Sequence, residues 1–101
     1  MSLEPVRISL RAAEEIKLIL QSDEIPNDSG IRIGAKEGGC GTSGFTIGFD
    51  TKKEDDIEYV EHGLPVYINK KHVMYLIGKK IKYRDDGEEW GFEFVDEGDE
   101  D

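Results

Sequence analysis

Gly30-Ile31-Arg32-Ile33-Gly34-Ala35-Lys36-Glu37-Gly38-Gly39-Cys40-Gly41-Thr42-Ser43-Gly44-Phe45-Thr46-Ile47-Gly48-Phe49-Asp50 is the stretch that decides how this chain folds. Ile31, Ile33 and Ala35 alternate with Arg32, Gly34 and Lys36, which gives an extended strand one apolar face. Phe45, Ile47 and Phe49 alternate in the same way with Thr46, Gly48 and Asp50. Two such runs joined by a glycine-rich connection predict a β-hairpin. Cys40, the only cysteine of the 101 residues, falls at its tip or just inside it. Gly38, Gly39 and Gly41 around it lack a Cβ, so the backbone there can turn left-handed and approach a ligand closely. Peptide N–H groups in such a loop can point at an anion. A thiol presented in this way is read as a metal or cluster ligand, or as a reactive group. The plainer alternative is an unpaired thiol in a turn whose glycines serve geometry alone.

Upstream, Val6-Arg7-Ile8 is a short strand, and Ser9 is a good N-cap for a helix from Leu10 to Gln21. Leu10, Ala13, Ile16, Ile19 and Leu20 recur three or four apart, with Glu14, Glu15 and Lys17 on other faces. Ile25-Pro26-Asn27-Asp28-Ser29-Gly30 is a turn-rich connection. Downstream, Thr51 to Asp56 is a charged turn, and Ile57 to Val60 and Leu64 to Ile68 are strands around His62-Gly63. Asn69 caps a second helix from Lys70 to Ile77, with Val73, Leu76 and Ile77 inward and Gly78 as its C-cap. Lys80 to Arg84 and Gly91 to Val95 are the last strands, parted by the turn Asp85-Asp86-Gly87. The order β-α-β-β-β-β-α-β-β predicts an α+β fold, a compact and mostly antiparallel β-sandwich or pseudo-barrel covered by two helices. Residues 1–95 make one domain, and Asp96-Glu97-Gly98-Asp99-Glu100-Asp101 is read as a disordered acidic tail.

Twenty-three acidic and 13 basic side chains give a net charge of −10. Such a surface repels phosphate backbones and anionic bilayers, so neither nucleic acid nor membrane is expected as a partner. Basic proteins or metal cations suit it better, although solubility alone also accounts for the charge. No apolar run approaches the roughly 20 residues that span a bilayer. With a single thiol and no signal-peptide core, the expected setting is reducing and cytoplasmic.

The segments Ile8-Ser9-Leu10-Arg11-Ala12-Ala13, Gly30-Ile31-Arg32-Ile33-Gly34 leading into Gly39-Cys40-Gly41, Phe45-Thr46-Ile47-Gly48-Phe49, Val66-Tyr67-Ile68-Asn69 and Trp90-Gly91-Phe92-Glu93-Phe94 carry a family likeness. In their order and spacing they resemble the HesB/IscA family of A-type iron–sulfur cluster carriers, from about Val6 to Val95. The resemblance implies a HesB-like fold, a role in iron–sulfur cluster assembly, and cluster-assembly or acceptor proteins as partners. In the family pattern one cysteine lies in the glycine-rich loop and two more form a Cys-Gly-Cys near the C-terminus. Cys40 matches the first. The positions after Phe94 read Val95-Asp96-Glu97-Gly98-Asp99-Glu100-Asp101 and hold no counterpart of the other two.

An iron–sulfur cluster is ordinarily held by four thiolates, with histidine the commonest exception. One chain supplies one thiolate, and a homodimer with facing loops supplies two. Tail carboxylates, solvent, a small thiol or a partner's cysteines would complete the set. Carboxylate is hard where thiolate is soft, so such a site would be labile, which suits handing a cluster on. Asp96 to Asp101 could instead bind a mononuclear cation. The resulting expectation is a non-enzymatic, homodimeric assembly protein that binds iron or a cluster transiently through Cys40, flanked by Gly39 and Gly41. The alternative is a HesB-like interaction module that has lost cluster chemistry. A thiol-redox enzyme is disfavoured, because Lys36 is the nearest cation and no second cysteine can resolve an oxidised thiol. His62 is read as a turn histidine with no role and His72, in the first turn of the second helix, as solvent-facing; nothing in the sequence places either near Cys40. Trp90, Tyr59, Tyr67, Tyr75 and Tyr83 could mark an interface, but aromatic residues on strands are more often core or cross-strand pairs. Asp55-Asp56 and Asp85-Asp86 are read as solvated turn charge.

Overall fold

The two alternating runs pair as the sequence predicts. In a computed structural model, which describes residues 5–35 and 44–96, β2 (Gly30–Ala35) and β3 (Phe45–Asp50) form an antiparallel hairpin. Its register sets Ile31 against Phe49, Ile33 against Ile47 and Ala35 against Phe45. Before it come β1 (Val6–Ile8) and α1 (Leu10–Leu20). After it, β4 (Asp56–Glu61) and β5 (Leu64–Asn69) make a second hairpin. His62 and Gly63 close that hairpin with φ of +52° and +80°, the two positive angles that a two-residue turn of this hand requires. A 3-10 turn (Lys70–His72) runs into α2 (Val73–Leu76), followed by the β6 (Lys79–Asp85) and β7 (Trp90–Asp96) hairpin.

The first two hairpins lie side by side, with β2 parallel to β5 from Ile31–Val66 to Ile33–Ile68. This gives a four-stranded sheet in the order β3-β2-β5-β4. The second sheet runs β1-β6-β7, with β1 parallel to β6. Three of the five strand pairings among the described residues are antiparallel, and the sheets with their two helices form the expected α+β sandwich. Its core joins Ile31, Ile33, Val66 and Ile68 from one sheet to Val6, Ile8 and Ile81 from the other. Ala12, Ala13 and Ile16 of α1 and Leu76 of α2 complete it.

Both predicted caps are made. Ser9 Oγ accepts from the Ala12 N–H at 3.1 Å, and Asn69 Oδ1 accepts from the Lys71 N–H at 2.9 Å. Two residues predicted inward face out. Leu10 is 66% exposed, because it projects about a third of a turn away from the Ala12–Ala13–Ile16 stripe. Ile77 is 57% exposed, because the second helix is a 3-10 turn plus four α-helical residues, and Ile77 has already left helical geometry at ψ 130°. Gly78 then reverses the chain at φ +85°, and its N–H donates to the Pro5 carbonyl at 3.1 Å.

Two seams join the sheets. At one, β1 faces β4: the Tyr59 hydroxyl donates to the Val6 carbonyl at 2.6 Å and accepts from the Val6 N–H at 3.2 Å. Glu61 Oε2 accepts from the Ile8 N–H at 3.2 Å and from Arg7 Nε at 2.8 Å. At the other seam β3 faces β7, and the Phe45 and Phe94 rings stack at 4.9 Å. β4 is also anchored at its first residue. Arg32, on central β2, forks onto the buried Asp56 carboxylate at 2.9 and 2.6 Å and reaches the Thr51 carbonyl at 2.7 Å. Asp56 is therefore not the solvated turn charge that its neighbours suggest.

Candidate functional site

Ala35 and Phe45 are cross-strand partners, so the chain leaves the four-stranded sheet and returns to it at one place. The connection between them carries Gly39, Cys40 and Gly41, which lie outside the described residues. Its two roots are the end of β2 and the start of β3.

On the β2 side, the Ala35 N–H donates to His72 Nδ1 at 3.3 Å. Gly34 admits the ring: a Cβ there would lie 3.2 Å from His72 Nδ1 and 2.9 Å from Thr46 Oγ1. His72 is thus half-buried beside the root of the Cys40 connection, contrary to the expectation that it faces solvent. An imidazole nitrogen that accepts a hydrogen bond carries its proton on the other nitrogen. In this arrangement neither nitrogen of His72 offers a free lone pair to a metal.

On the β3 side, Phe45 begins the strand and stacks on Phe94. Lys79 Nζ lies 5.6 Å from the Phe45 ring centroid and pairs with Asp96 at 2.8 Å. That hydrogen bond holds the Asp96 carboxyl below the usual aspartate range. Asp96, grouped with the tail from its sequence, is the last residue of β7 and stands in register opposite Lys79. Residues 97–101 lie outside the described residues, and with them the remainder of the acidic tail. Beside Phe45, a cleft of about 530 Å³ opens between the sheets, lined by Ile47, Phe92, Glu93 and Phe94. The root of the connection therefore meets an aromatic wall on one side and a lysine–aspartate pair at its edge.

His62 belongs to the other seam. Its Nε2 donates to the Ile8 carbonyl at 2.8 Å, so this turn histidine has a structural partner and stands with β1 and β4. Among the described residues, no three His, Cys, Asp or Glu side chains converge on a metal position. Tyr59 and Tyr67 are buried and Tyr83 pairs edge-on with Phe92 at 5.3 Å, as core and cross-strand residues do. Trp90 and Tyr75 do not follow them, at 76% and 51% exposed. No helix among the described residues is long and apolar enough to cross a membrane.

The alternation that places Phe45 and Phe94 was legible in the sequence. His72 was not, because its position depends on where β5 stops. The signal for Asp56 lies in Arg32: an arginine between two isoleucines on a central strand needs a carboxylate.

The profile of a family described as iron–sulphur cluster biosynthesis matches residues 5–98. The iron–sulfur cluster insertion protein ErpA of Francisella tularensis subsp. novicida (strain U112) is 27% identical over 88 residues, covering 86% of this chain and 75% of that protein. Escherichia coli SufA, involved in biosynthesis of iron–sulfur clusters, superposes with a TM-score of 0.76 at 18% identity, over 99% of this chain and 87% of SufA. A structure of IscA with the [2Fe-2S] cluster gives a TM-score of 0.70 at 18% identity, over 90% of this chain and 81% of that one. At that identity the two structures speak for the fold.

Proposed function

We infer the function from one premise: this chain belongs to the iron–sulphur cluster biosynthesis family. It is a protein of iron–sulfur cluster assembly, and its partners are proteins that build or accept clusters. An interaction module without cluster chemistry is not favoured.

Within that role we propose that the chain is a carrier and not an enzyme. Iron or an iron–sulfur cluster is its cargo, gripped transiently by the Cys40 thiolate, with Gly39 and Gly41 letting the backbone come close. The observation that carries this reading is the position of Cys40, the sequence's one soft anionic donor, in the glycine-rich connection of a hairpin inside the family-matched segment. The IscA structure, which holds a [2Fe-2S] cluster on the same fold, supports it. One thiolate does not saturate a cluster, so we propose a homodimer in which two copies contribute one sulfur each. The remaining positions are open to an acceptor's thiols, which fits a cargo meant to leave. A reducing cytoplasm would keep Cys40 in the thiol form that this needs.

Anaerobic incubation of the chain with ferrous iron and sulfide tests the reading. Wild type should acquire visible charge-transfer absorption that Cys40→Ser lacks. Equal, negligible iron uptake by both proteins would falsify cargo binding through Cys40.

A further inference from the structure

β5 accompanies β2 only from Ile31 to Ile33. Beyond Ile68 the chain turns off through Asn69 into the 3-10 turn, so among the described residues the β2 edge at Gly34 and Ala35 has lost its strand neighbour on that side. A backbone N–H at such an edge needs a partner if it is shielded from water. The 3-10 turn brings one back: His72 Nδ1 accepts the Ala35 N–H at 3.3 Å, in the place where a strand carbonyl would have stood. Gly34 is the other half of the arrangement, since a side chain there would meet the ring at 3.2 Å. The next residue begins the connection that holds Cys40, five positions beyond Ala35.

We propose that His72 is a positioning residue for Cys40: by accepting the Ala35 N–H it fixes where β2 ends, and so the point from which the Cys40 connection departs. This rests on the reading of Cys40 as the working thiol. It adds a residue that touches neither cargo nor sulfur but sets the frame in which the sulfur is offered. The role requires an acceptor at the Nδ1 position, not an imidazole as such, and that makes it separable from packing. His72→Phe keeps a ring of similar size and removes the acceptor. His72→Asn loses most of the ring but puts Oδ1 close to the place of Nδ1.

The test is the rate at which iodoacetamide alkylates Cys40 in the full-length, cargo-free chain. Losing the hydrogen bond should loosen the root and raise the rate about fivefold in His72→Phe. Gly34→Ala, whose Cβ would crowd the ring at 3.2 Å and Thr46 Oγ1 at 2.9 Å and so lengthen the Ala35 bond, should do the same, while His72→Asn should stay at the wild-type rate. Equal rates in all four proteins would overturn the proposal, as would His72→Asn behaving like His72→Phe. If His72→Phe fails to fold, amide hydrogen exchange at Ala35 decides. An N–H that is protected in wild type and exposed in Gly34→Ala supports the role; one that exchanges freely in wild type, or is unchanged by Gly34→Ala, refutes it. Neither readout involves iron, so this inference and the cargo reading can fail separately.

Discussion

The two seams between the sheets are made of different chemistry. Where β1 meets β4, side chains bond to backbone: the Tyr59 hydroxyl serves both polar groups of Val6, Glu61 serves the N–H of Ile8, and His62 serves its carbonyl. Three side chains of one hairpin, Tyr59, Glu61 and His62, stand in for the strand that, among the described residues, β1 lacks on that side. Where β3 meets β7, rings rest on rings and a cleft of about 530 Å³ remains. Directional bonds fix the first seam in one register, whereas the second leaves a cleft open beside its stacked pair. On the carrier reading proposed above, the β1–β4 seam holds the sandwich together and the β3–β7 seam, at the root of the Cys40 connection, is the side that serves the cargo.

Breaking the anchored side should cost the most. Asp56 has a fully buried carboxylate paired to Arg32, so Asp56→Ala should lower unfolding free energy by about 3 kcal/mol in denaturant titration. Arg32, foremost through its hydrogen bond, holds the Asp56 carboxyl below the usual range. A group whose folded pKa is depressed stabilises the fold fully above its unfolded value, about 3.9, and loses that contribution as pH falls through the folded value. Acid unfolding of wild type should therefore steepen below about pH 4, and that limb should be weaker in Asp56→Ala. A wild-type limb retained in the variant would remove Asp56 from the account.

Glu61→Ala comes next. It leaves the Ile8 N–H without its acceptor and should cost about 2 kcal/mol, while iron and sulfide uptake per folded chain stays at the wild-type level. Phe94→Leu, at the other seam, should cost the least in stability, about 1 kcal/mol, since it removes one stacked pair at a half-buried position. Its signature is functional: the reconstituted chromophore should bleach faster than in wild type or Glu61→Ala. If Glu61→Ala bleaches faster and Phe94→Leu does not, the division between the seams is inverted.

Much of this was legible in the sequence, for a physical reason. Ile31, Ile33 and Ala35, or Phe45, Ile47 and Phe49, announce a strand through a local period, and Ser9, Asn69 and Gly78 announce element ends through local hydrogen bonding or φ. What escaped was set by distant parts of the chain. Asp56 meets a guanidinium 24 positions away, and Glu61 and Tyr59 meet β1 across more than 50. A carboxylate in a polar turn looks the same whether or not an arginine lies above it. His72 escaped for a related reason, since only the end of the β2–β5 pairing reveals the N–H that it serves. Ile77 failed through length: a helix that stops at Leu76 cannot turn its next residue inward.

Hydrogen exchange of the full chain, read by mass spectrometry before and after anaerobic loading with ferrous iron and sulfide, tests the division of labour most directly. The account predicts slower exchange on loading at residues 44–47 and 92–96, the β3–β7 side, with residues 6–8 and 59–62 unchanged. Protection at the β1–β4 seam, with none at the β3–β7 seam while iron is bound, would contradict it.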